Sequence, residues 1–480
     1  MDVLEIDADT TLTPGRVYGP IAITRSGVTL DGQGAMVVGS TRGQTDTFLG
    51  TGIQARGISG VTLRNLVVKG FESGLRAGDG EGWSVEDCDF SDNFHDPDFD
   101  WGDNGRRGGI VLLRMVKSAF RRNAAHRVWD ACNLVESHDN VIEENDFSHT
   151  SNTCLRLWES CRNEVRSNNL SYGIRITPGE VHARDSCCVL VEHWSHDNRF
   201  LRNDATHGGD GIFVRVLDGC PSGGNLLQGN DASYAHNNCF ESAAPGNTYL
   251  ENRANHGSYG FWMGCSDRTV MLGNEAGHNG LPDGSHNAPE PDFGHGGIVF
   301  VNGSAEHVLV QRNHCHHNNG GGIVLRGSAD GSFRAFHWVI QENRLEANRW
   351  GIYLQRVSWI DLGPNEIVDS LETAIMNAGS VTDVTLPEQA GWAGLQSPKA
   401  VLRASHAVLA PGAAVALDAT DSSDPNGLPL TFRWDLGDGS ISDLPELEHA
   451  YAHPGTYTLG LTVSNGRLHG IDWATVVVKA

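Results

Sequence analysis

Short alternating runs of apolar and polar residues recur along most of the chain, and each run ends in an asparagine. The pattern is clearest in residues 140–145 (NVIEEN), where two asparagines five residues apart enclose the apolar residues. Residues 163–168, 198–203, 225–230 and 247–252 repeat this pattern. A spacing of 22 residues separates Asn123 from Asn145, Asn230 from Asn252, and Asn252 from Asn274. A fixed period of this length indicates a repeat architecture.

A second apolar run follows each closing asparagine and often opens with glycine, as in GIVLL from Gly109 and GIFVRV from Gly211. Two short runs per repeat cannot bury an apolar face alone, so successive repeats must stack. The predicted fold is all-β, with a right-handed parallel β-helix of about 10–12 coils over residues 1–380.

The recurring asparagines have a structural explanation in such a fold. Stacked at the strand spacing of about 4.8 Å, a side-chain amide can donate to one neighbour and accept from the other. We interpret them as an internal ladder rather than a binding site. The predicted ladder positions are Asp87, Asn123, Asn145, Asn168, Asn203, Asn230, Asn252, Asn274, Asn313 and Asn343.

Spacings above 22 residues locate insertions into the repeat. The three longest follow Asp87, Asn168 and Asn274, between the ladder position and the glycine-led strand. These loops leave the same corner of the solenoid and should rise beside the sheet of glycine-led strands. Loops on one edge of a rigid repeat scaffold usually carry its binding function.

The composition changes near residue 380. Residues 381–397 are rich in small and polar residues and are predicted to be a linker, and residues 398–480 have the short alternating strands of a β-sandwich. In this part, Asp424-Pro425, FRWDLGDG from Phe432 and PGTY from Pro454 resemble the pattern of PKD domains. The resemblance implies an immunoglobulin-like module of extracellular proteins. We expect truncation at Gln396 to leave a folded, equally active β-helix.

The repeat resembles the right-handed parallel β-helix superfamily, which includes pectate lyases, polygalacturonases, alginate epimerases and non-enzymatic proteins. This resemblance implies the fold rather than one activity. Gly294-His295-Gly296 resembles a polygalacturonase element, but the companion Asn-Thr-Asp and Asp-Asp elements are missing from the sequence. Motifs therefore assign no enzyme family.

Charge and cysteine usage narrow the class of partner and the compartment. A net charge of −24 argues against nucleic acid or an anionic membrane as partner. No apolar run approaches the length of a membrane span, and the first residues contain no basic and apolar leader. The PKD resemblance implies a secreted or cell-surface protein, although this chain shows no signal peptide, and the lack of a long apolar run predicts no membrane insertion. Cys154 and Cys188 are interpreted as stacked buried thiols, with a disulfide between them as the alternative.

Residues two and four places after each strand-opening glycine should point outward. The middle of the first outward column reads Asn133, Arg156, Leu190, Phe213, Glu241 and Trp262, and the middle of the second reads Trp158, Glu192 and Arg215. Apolar residues flank this charged and aromatic middle, which should lie under the long loops.

Three strand ends match one another as LVES, LWES and LVEH, which places Glu136, Glu159 and Glu192 at nearly the same position of successive coils. Carboxylates stacked about 5 Å apart repel, which favours protonation of one of them. A protonated carboxyl beside an ionised one can cleave a glycosidic bond. The alternative is an ordinary surface ladder of glutamate–arginine ion pairs.

We therefore predict a glycoside hydrolase that binds a polysaccharide or oligosaccharide along the glycine-led sheet. Glu159 and Glu192 are the predicted acid and base or nucleophile, with Glu136 as a third candidate. A pair on adjacent coils predicts retention of configuration. The predicted orienting residues are Arg156, Arg215 and His193, and the predicted substrate-binding residues are Trp158, Trp262, Glu241, Asn133, Phe213 and Trp101.

Two other functions stay open. The first is a polysaccharide lyase or uronan C5-epimerase, whose base would be an arginine or a histidine because Lys69 and Lys117 are the only lysines in the predicted β-helix. The second is a non-catalytic glycan-binding or cell-surface protein, which the fold permits equally.

No cofactor is required by this interpretation, although Ca²⁺ is an option in the first long loop. The carboxylates there are spaced as in calcium loops, but Trp101 stands where such loops need glycine. A solvated acidic loop is the alternative. The candidate ligands are Asp96, Asp98, Asp100 and Asp103.

A column of histidines follows the ladder, four residues after successive asparagines. It consists of His149, His207, His256, His278 and His317, with Tyr234 at the equivalent place. A single column along a solenoid does not converge on a point, so we predict ring stacking rather than a metal site.

Overall fold

The computed structural model describes residues 2–39, 48–95, 105–177, 183–281, 288–332, 334–386 and 393–479. Within these residues, parallel strands form three sheets of one solenoid that runs from Leu4 to Thr385. The predicted all-β class and parallel β-helix are confirmed. The solenoid ends slightly later than predicted, because its last strand, Val381–Thr385, lies in the predicted linker.

The first sheet contains the glycine-led strands and one face of every coil. Its fifteen strands are, in spatial order, Leu4–Ile6, Ile21–Ile23, Thr51–Arg56, Ser73–Glu81, Gly108–Val116, Asp130–Val135, Thr153–Trp158, Cys187–Glu192, Asp210–Arg215, Asn238–Ser242, Tyr259–Met263, Ile298–Phe300, Gly321–Arg326, Trp350–Gln355 and Thr373–Asn377.

The second sheet contains the runs that precede the ladder asparagines. Its strands are Thr10–Thr11, Val17–Tyr18, Thr29–Val38, Thr62–Lys69, Ser84–Glu86, Ala119–Arg121, Val141–Glu143, Glu164–Arg166, Arg199–Leu201, Leu226–Gln228, Thr248–Leu250, Val270–Leu272, Ala305–Gln311, Ala335–Gln341, Val357–Leu362 and Val381–Thr385. A short third sheet follows the ladder, with strands Glu275–Gly277, His314–His316, Arg344–Glu346 and Glu366–Val368.

Alternation along the first sheet separates the core from the outer face. Ile110 and Leu112 are fully buried in the apolar core, and the residues between and after them face the loops. The register confirms the predicted outward columns: Asn133 pairs with Arg156, Arg156 with Leu190, and Leu190 with Phe213. The hydrophobic effect thus fixes which side chains reach the outer face.

The predicted asparagine ladder is present at the corner after the second sheet. The backbone N and the Nδ2 of Asn145 both donate to Asn168 Oδ1 at 2.9 Å, and Asn145 Nδ2 also donates to Phe120 O at 2.9 Å. The same bonds link each ladder asparagine to the next, from Asn123 to Asn365.

One predicted ladder position is wrong. Cys88, not Asp87, aligns with Asn123, and Cys88 N donates to Asn123 Oδ1 at 3.1 Å. Asp87 is the exposed residue one place earlier, where it receives hydrogen bonds from Arg122. Both residues of that pair have positive φ, as expected for the outer edge of the corner.

Two further asparagine ladders support other corners. One links Asn140, Asn163, Asn198, Asn225 and Asn247, and the other links Asn279, Asn318 and Asn348. The sharp turns beside the ladders need left-handed backbone conformations, as at Glu144 and Arg202. Each such non-glycine residue costs about 1 kcal/mol, which the buried amide bonds offset.

The C-terminal part is a β-sandwich with its own apolar core, as predicted. Its three-stranded sheet consists of Arg403–Ala404, Ala414–Asp418 and Glu446–Ala450, and its five-stranded sheet of Val408–Leu409, His469–Val478, Gly455–Ser464, Thr431–Asp435 and Ile441–Ser442. Trp434 Nε1 donates to Leu444 O at 2.8 Å, and Tyr451 OH donates to Leu436 O at 2.9 Å.

The sandwich packs directly on the second sheet of the β-helix. His337 Nε2 lies 2.6 Å from Thr462 Oγ1, and Gln341 exchanges two hydrogen bonds with the backbone of His469. Gly460 makes this approach close, since a Cβ there would lie 2.4 Å from the His307 ring and 2.5 Å from the His337 ring. Burial lowers the pKa of His307 to about 3, so the ring is neutral in the interface. The sandwich therefore forms a close, hydrogen-bonded interface with the β-helix.

We expect Asn203→Ala to lower the free energy of unfolding by about 2–4 kcal/mol, as measured by urea denaturation. Two donors of Asn168 lose their acceptor, and Val165 O loses its donor. Arg202→Asn is the matched control because the position is exposed and asparagine tolerates its positive φ. The control should change stability by less than about 0.5 kcal/mol. Equal losses in the two variants would contradict the structural role of the ladder.

We expect a fragment ending at Gln396 to keep the β-helix fold but to unfold at a lower temperature than the full chain. Its loss of the sandwich uncovers His307, His337 and Gln341, which the full chain buries. Full-length Gly460→Leu should show the same direction of change, because the added side chain collides with both histidine rings. Calorimetry of the three proteins is the measurement, and an unchanged β-helix transition in fragment and variant would rule out a stabilising interface.

Candidate functional site

The middle of the first sheet's outer face, from the strand Asp130–Val135 to the strand Tyr259–Met263, is called here the central face. Phe48, Phe94 and Trp129 form a small buried apolar cluster at its N-terminal end, next to the strand Asp130–Val135. Phe293, from the third long loop, packs on the outer face at the C-terminal end. Between these two ends, partly exposed side chains remain at Trp158, Phe213, Arg215, Glu241 and Trp262. The long loops thus frame the central face, as the insertion pattern predicts.

Glu192 lies at the centre of a buried ion-pair network on the central face. Its side chain is 0% exposed, and its two oxygens accept hydrogen bonds from Arg156 Nε at 2.8 Å and Arg215 Nη2 at 2.7 Å. Arg215 also approaches Asp185 of the second long loop, at 3.4 Å. Because both oxygens are engaged and buried, Glu192 holds the two arginines in place and does not face the solvent.

The predicted column of three glutamates is wrong in its third coil. Trp158 pairs with Glu192, so Glu159 aligns with His193. The backbone agrees, since Glu136 N donates to Trp158 O and Glu159 N donates to His193 O, both at 2.9 Å. Glu136 and Glu159 remain aligned on adjacent coils, so retention of configuration stays a prediction for that pair.

The error has a physical cause in the turn after Glu192. Ser160 N donates to Ser195 Oγ, so these serines align although the third coil has one more residue before its serine. Val191 pairs with Leu157 and fills the core. That placement turns Glu192 outward, and the additional residue is absorbed by the turn. Matching the letters of the strand ends could not reveal the additional residue.

Glu136 and Glu159 are the accessible members of the three predicted acids, and Glu136, 42% exposed, lies 3.6 Å from Arg114. Glu159 has more polar and aromatic partners. Its side chain is 41% exposed, its Oε1 accepts from Trp158 Nε1 at 3.2 Å, and His193 Nδ1 lies 2.9 Å from the same oxygen. The Trp158 ring stacks on His193 with centroids 4.2 Å apart, and the Arg106 guanidinium lies 4.6 Å from the Trp158 ring. Protein groups thus already pack on the Trp158 ring. Trp262 packs on Tyr259 with ring centroids 4.6 Å apart and a tilt of 57°, and its side chain is also partly exposed.

Three carboxyl groups that were not predicted as catalytic acids lie together beside this network: Asp185, Asp210 and Glu241. Asn238 joins two of them, because its backbone N donates to Asp210 Oδ1 at 3.0 Å and its Nδ2 donates to Glu241 Oε2 at 2.6 Å. Asp210 is 6% exposed, Glu241 is partly buried, and the Asp185 side chain is 63% exposed. Solvent exposure therefore increases across the cluster from Asp210 through Glu241 to Asp185.

The protein environment raises the pKa of two of these three carboxyl groups, Asp210 and Glu241. Burial raises the pKa of Asp210 well above its ordinary value, and the charge of Glu241 adds to this, against the hydrogen bond from Asn238 N. Burial also raises the pKa of Glu241, against the hydrogen bond from Asn238 Nδ2. The nearby charge of Asp185 acts in the same direction as burial on both groups. Asp185 itself is exposed and ion-paired with Arg215.

Sequence reasoning found Glu241 as a binding residue but missed Asp210 and Asp185. The available signal for Asp210 was the column just before the strand-opening glycine, where Asp210 pairs with Cys187. Asp130 occupies the same column three coils earlier and accepts from Asn152 Nδ2 at 2.7 Å. Asp185 belongs to an inserted loop, for which the repeat predicts no position.

A small cavity of about 80 Å³ lies within the central face, beside the arginine network. Its lining includes Trp129, Arg156, Arg175, Asp185 and Arg215. Trp129 Nε1 is buried and, among the described residues, has no hydrogen-bond partner. Buried polar atoms usually bind protein, water or ligand groups, so the cavity is suited to a polar guest.

The other predicted binding residues differ in how far solvent, and hence a ligand, can reach them. Asn133 is fully buried, and neither amide atom has a partner in the described part of the chain. Phe213 is partly exposed, with Arg215 5.9 Å from its ring. Trp101, Asp96, Asp98, Asp100 and Asp103 lie outside the described residues.

The predicted ring stack is confirmed. Tyr172 lies between His149 and His207, and successive rings from His149 to His317 are 4.6–5.0 Å apart. Cys154 and Cys188 are buried free thiols, which agrees with the first of the two interpretations. None of the described segments forms a helix of the length and apolarity needed to cross a bilayer.

Comparison with known proteins assigns the class. The model of the right-handed β-helix region matches residues 51–217 and 220–388, and the chain belongs to this family. A PKD domain model matches residues 395–478. The C-terminal sandwich is therefore a PKD domain.

Individual similar proteins are distant. The catalytic domain of a GH87 α-1,3-glucanase in complex with tetrasaccharides is 14% identical, with 80% of this chain and 69% of that chain covered and a TM-score of 0.47. The Dettilon tailspike protein is 12% identical, covering 96% and 71%, with a TM-score of 0.42. A microbial collagenase of Vibrio alginolyticus is 34% identical over 70 residues, 14% of this chain. This chain spans 9% of the length of that collagenase.

We expect Asp210→Asn to stabilise the protein increasingly as the pH rises. The raised pKa means that the native state keeps a proton that the unfolded chain releases. This contribution is complete below the unfolded pKa of about 3.9 and is lost as pH rises through the folded pKa. An amide cannot ionise and still accepts from Asn238 N.

Thermal unfolding between about pH 4 and pH 8 measures this effect. The melting temperature of Asp210→Asn relative to the unmodified protein should shift upward across the range. Asp204→Asn, at an exposed position of the neighbouring turn, is the matched control and should show no such trend. A parallel pH dependence in Asp210→Asn and the unmodified protein would contradict the assignment.

Proposed function

We propose that this protein is an extracellular glycoside hydrolase that binds a polysaccharide or oligosaccharide along the central face. The observation that carries the proposal is the pair of carboxyl groups joined through Asn238, the buried Asp210 and the partly exposed Glu241, beside carboxylates ion-paired with arginine. Glycosidic bond cleavage needs one carboxyl group that keeps its proton and one that is ionised. Different environments for neighbouring carboxyl groups supply that difference.

Glu241 is the general acid in this proposal. It is partly exposed, and its raised pKa keeps the proton available for the glycosidic oxygen. Asp185, exposed and held by Arg215, is the carboxylate that activates water or attacks the sugar. Asp210 is a positioning residue, since it binds the same asparagine that orients Glu241.

The arginine network supports the reacting groups from behind. Glu192 fixes Arg156 and Arg215, and Arg215 in turn approaches Asp185. Glu159, at the edge of the central face, binds sugar hydroxyl groups, because its carboxylate is 41% exposed and is oriented by Trp158 and His193. Trp262 stacks on a sugar ring. The PKD domain supports an extracellular location.

We expect the protein to release reducing ends from at least one neutral or uronic-acid polysaccharide in a screen of both classes. Glu241→Gln should lower kcat by at least about 100-fold on that substrate, because an amide cannot donate the proton. Glu81→Gln, an exposed glutamate at the end of another strand of the same sheet, is the matched control and should keep its activity. Asp210→Asn should shift the pH profile of kcat as well as its magnitude.

The same screen separates the other functions. Products with an unsaturated, ultraviolet-absorbing end would identify a lyase, and a change in uronate composition without cleavage would identify an epimerase. Retention of a glycan in affinity electrophoresis without any product would identify a binding protein. Full activity in Glu241→Gln would refute the assignment of the acid.

A further inference from the structure

Three histidines meet at one place on the third sheet, away from the carboxyl cluster. His316 ends the strand His314–His316, His317 follows it, and His278 follows the paired strand Glu275–Gly277. One nitrogen from each of His278, His316 and His317 lies within 4.8 Å of the others. The nitrogens of the stacked rings do not point to one place by themselves. His316, from the same coil as His317, adds a third nitrogen close to those of His278 and His317.

The ring of His316 leaves the stacking direction. It lies nearly perpendicular to His278, with an interplanar angle of 84°, whereas His278 and His317 are stacked at 15°. Gly277 makes room for this orientation, because a Cβ there would be 2.3 Å from His316 Cε1. His316 therefore presents a nitrogen to the stack instead of extending it.

The spacing of the nitrogens suits a transition metal. His316 Nδ1 and His317 Nδ1 are 3.2 Å apart. Tetrahedral Zn²⁺ with metal–nitrogen bonds of about 2.0–2.1 Å places its ligand atoms about 3.3–3.4 Å apart. Small side-chain rotations bring the nitrogen of His278 to the same distance, because all three ligand atoms already lie within 4.8 Å.

A carboxylate completes the arrangement behind one of the rings. Glu275 Oε1 lies 3.5 Å from His316 Nε2, the nitrogen opposite Nδ1. Metal-binding histidines usually donate their second N–H to a carboxylate or carbonyl, which fixes the tautomer and raises ligand basicity. Asn255 Nδ2 donates to the same Glu275 oxygen at 2.8 Å and holds the carboxylate in place.

We propose that His278, His316 and His317 form a binding site for a divalent transition metal of the zinc class, with Glu275 as the carboxylate that orients His316. Neutral imidazoles are the ligands that such metals select over Ca²⁺ or Mg²⁺. Three protein ligands leave a fourth position for water or a group of a bound molecule. The site stands at the start of the third long loop and is independent of the proposed hydrolase activity.

The test uses the full chain without a histidine tag, stripped with a chelator and titrated with Co²⁺ and Zn²⁺. We expect one ion per chain in calorimetry and the visible absorption of tetrahedral Co²⁺. His316→Ala and His317→Asn should each weaken binding by at least about 100-fold, and Glu275→Gln by about 10–100-fold. Asparagine at position 317 tolerates the positive φ there, and circular dichroism checks that each variant is folded.

His207→Asn is the matched control. It removes a histidine of the same stack at the same backbone conformation but far from the cluster. This variant should bind as tightly as the unmodified protein. Equal weakening in His207→Asn, unchanged affinity in folded His316→Ala and His317→Asn, or no saturable binding by the unmodified chain would each overturn the proposal.

Discussion

The hydrogen bonds of the stacked asparagine amides are the interaction on which the rest of the structure depends. A sharp corner leaves backbone N–H groups pointing into a core that offers no water. Each ladder Oδ1 accepts from both the backbone and the side chain of the previous asparagine, as Asn168 does from Asn145. Asparagine thus provides hydrogen-bond acceptors for the backbone N–H groups at the corner, and its stacking also fixes the distance between coils.

That fixed spacing explains how polar chemistry persists on the outer face. The core residues fix the strand register, and that register holds Arg156, Glu192 and Arg215 next to one another on the outer face. In the low-polarity environment under the loops, their mutual attraction is strong and an unpartnered charge is costly. Asp210 and Glu241 lack an arginine of their own at bonding distance among the described contacts, and burial raises the pKa of both carboxyl groups.

The repeat made much of this molecule predictable. Asparagines at a fixed period and glycine-led strands gave the fold, the two outward columns and the stacked rings, because each follows from periodicity and alternation. The second outward column placed Glu192 correctly beside Trp158 and Arg215. Its alignment with Glu136 and Glu159 was wrong because one additional turn residue shifts a strand end without disturbing the core. The contributions of Asp185 and of the docked PKD domain depend on tertiary contacts, such as that of Gly460 with His337, which leave no periodic signal.

The ladder also makes the coil a unit of evolutionary change. Every coil offers the same acceptor on one side and the same donors on the other, so the ends left by removing one coil match each other chemically. Duplication or deletion of a whole repeat therefore lengthens or shortens the outer face in steps of about 4.8 Å without new core packing. Changes of one or two residues inside the ladder corner lack that freedom, and length variation should concentrate in whole repeats and in the loops.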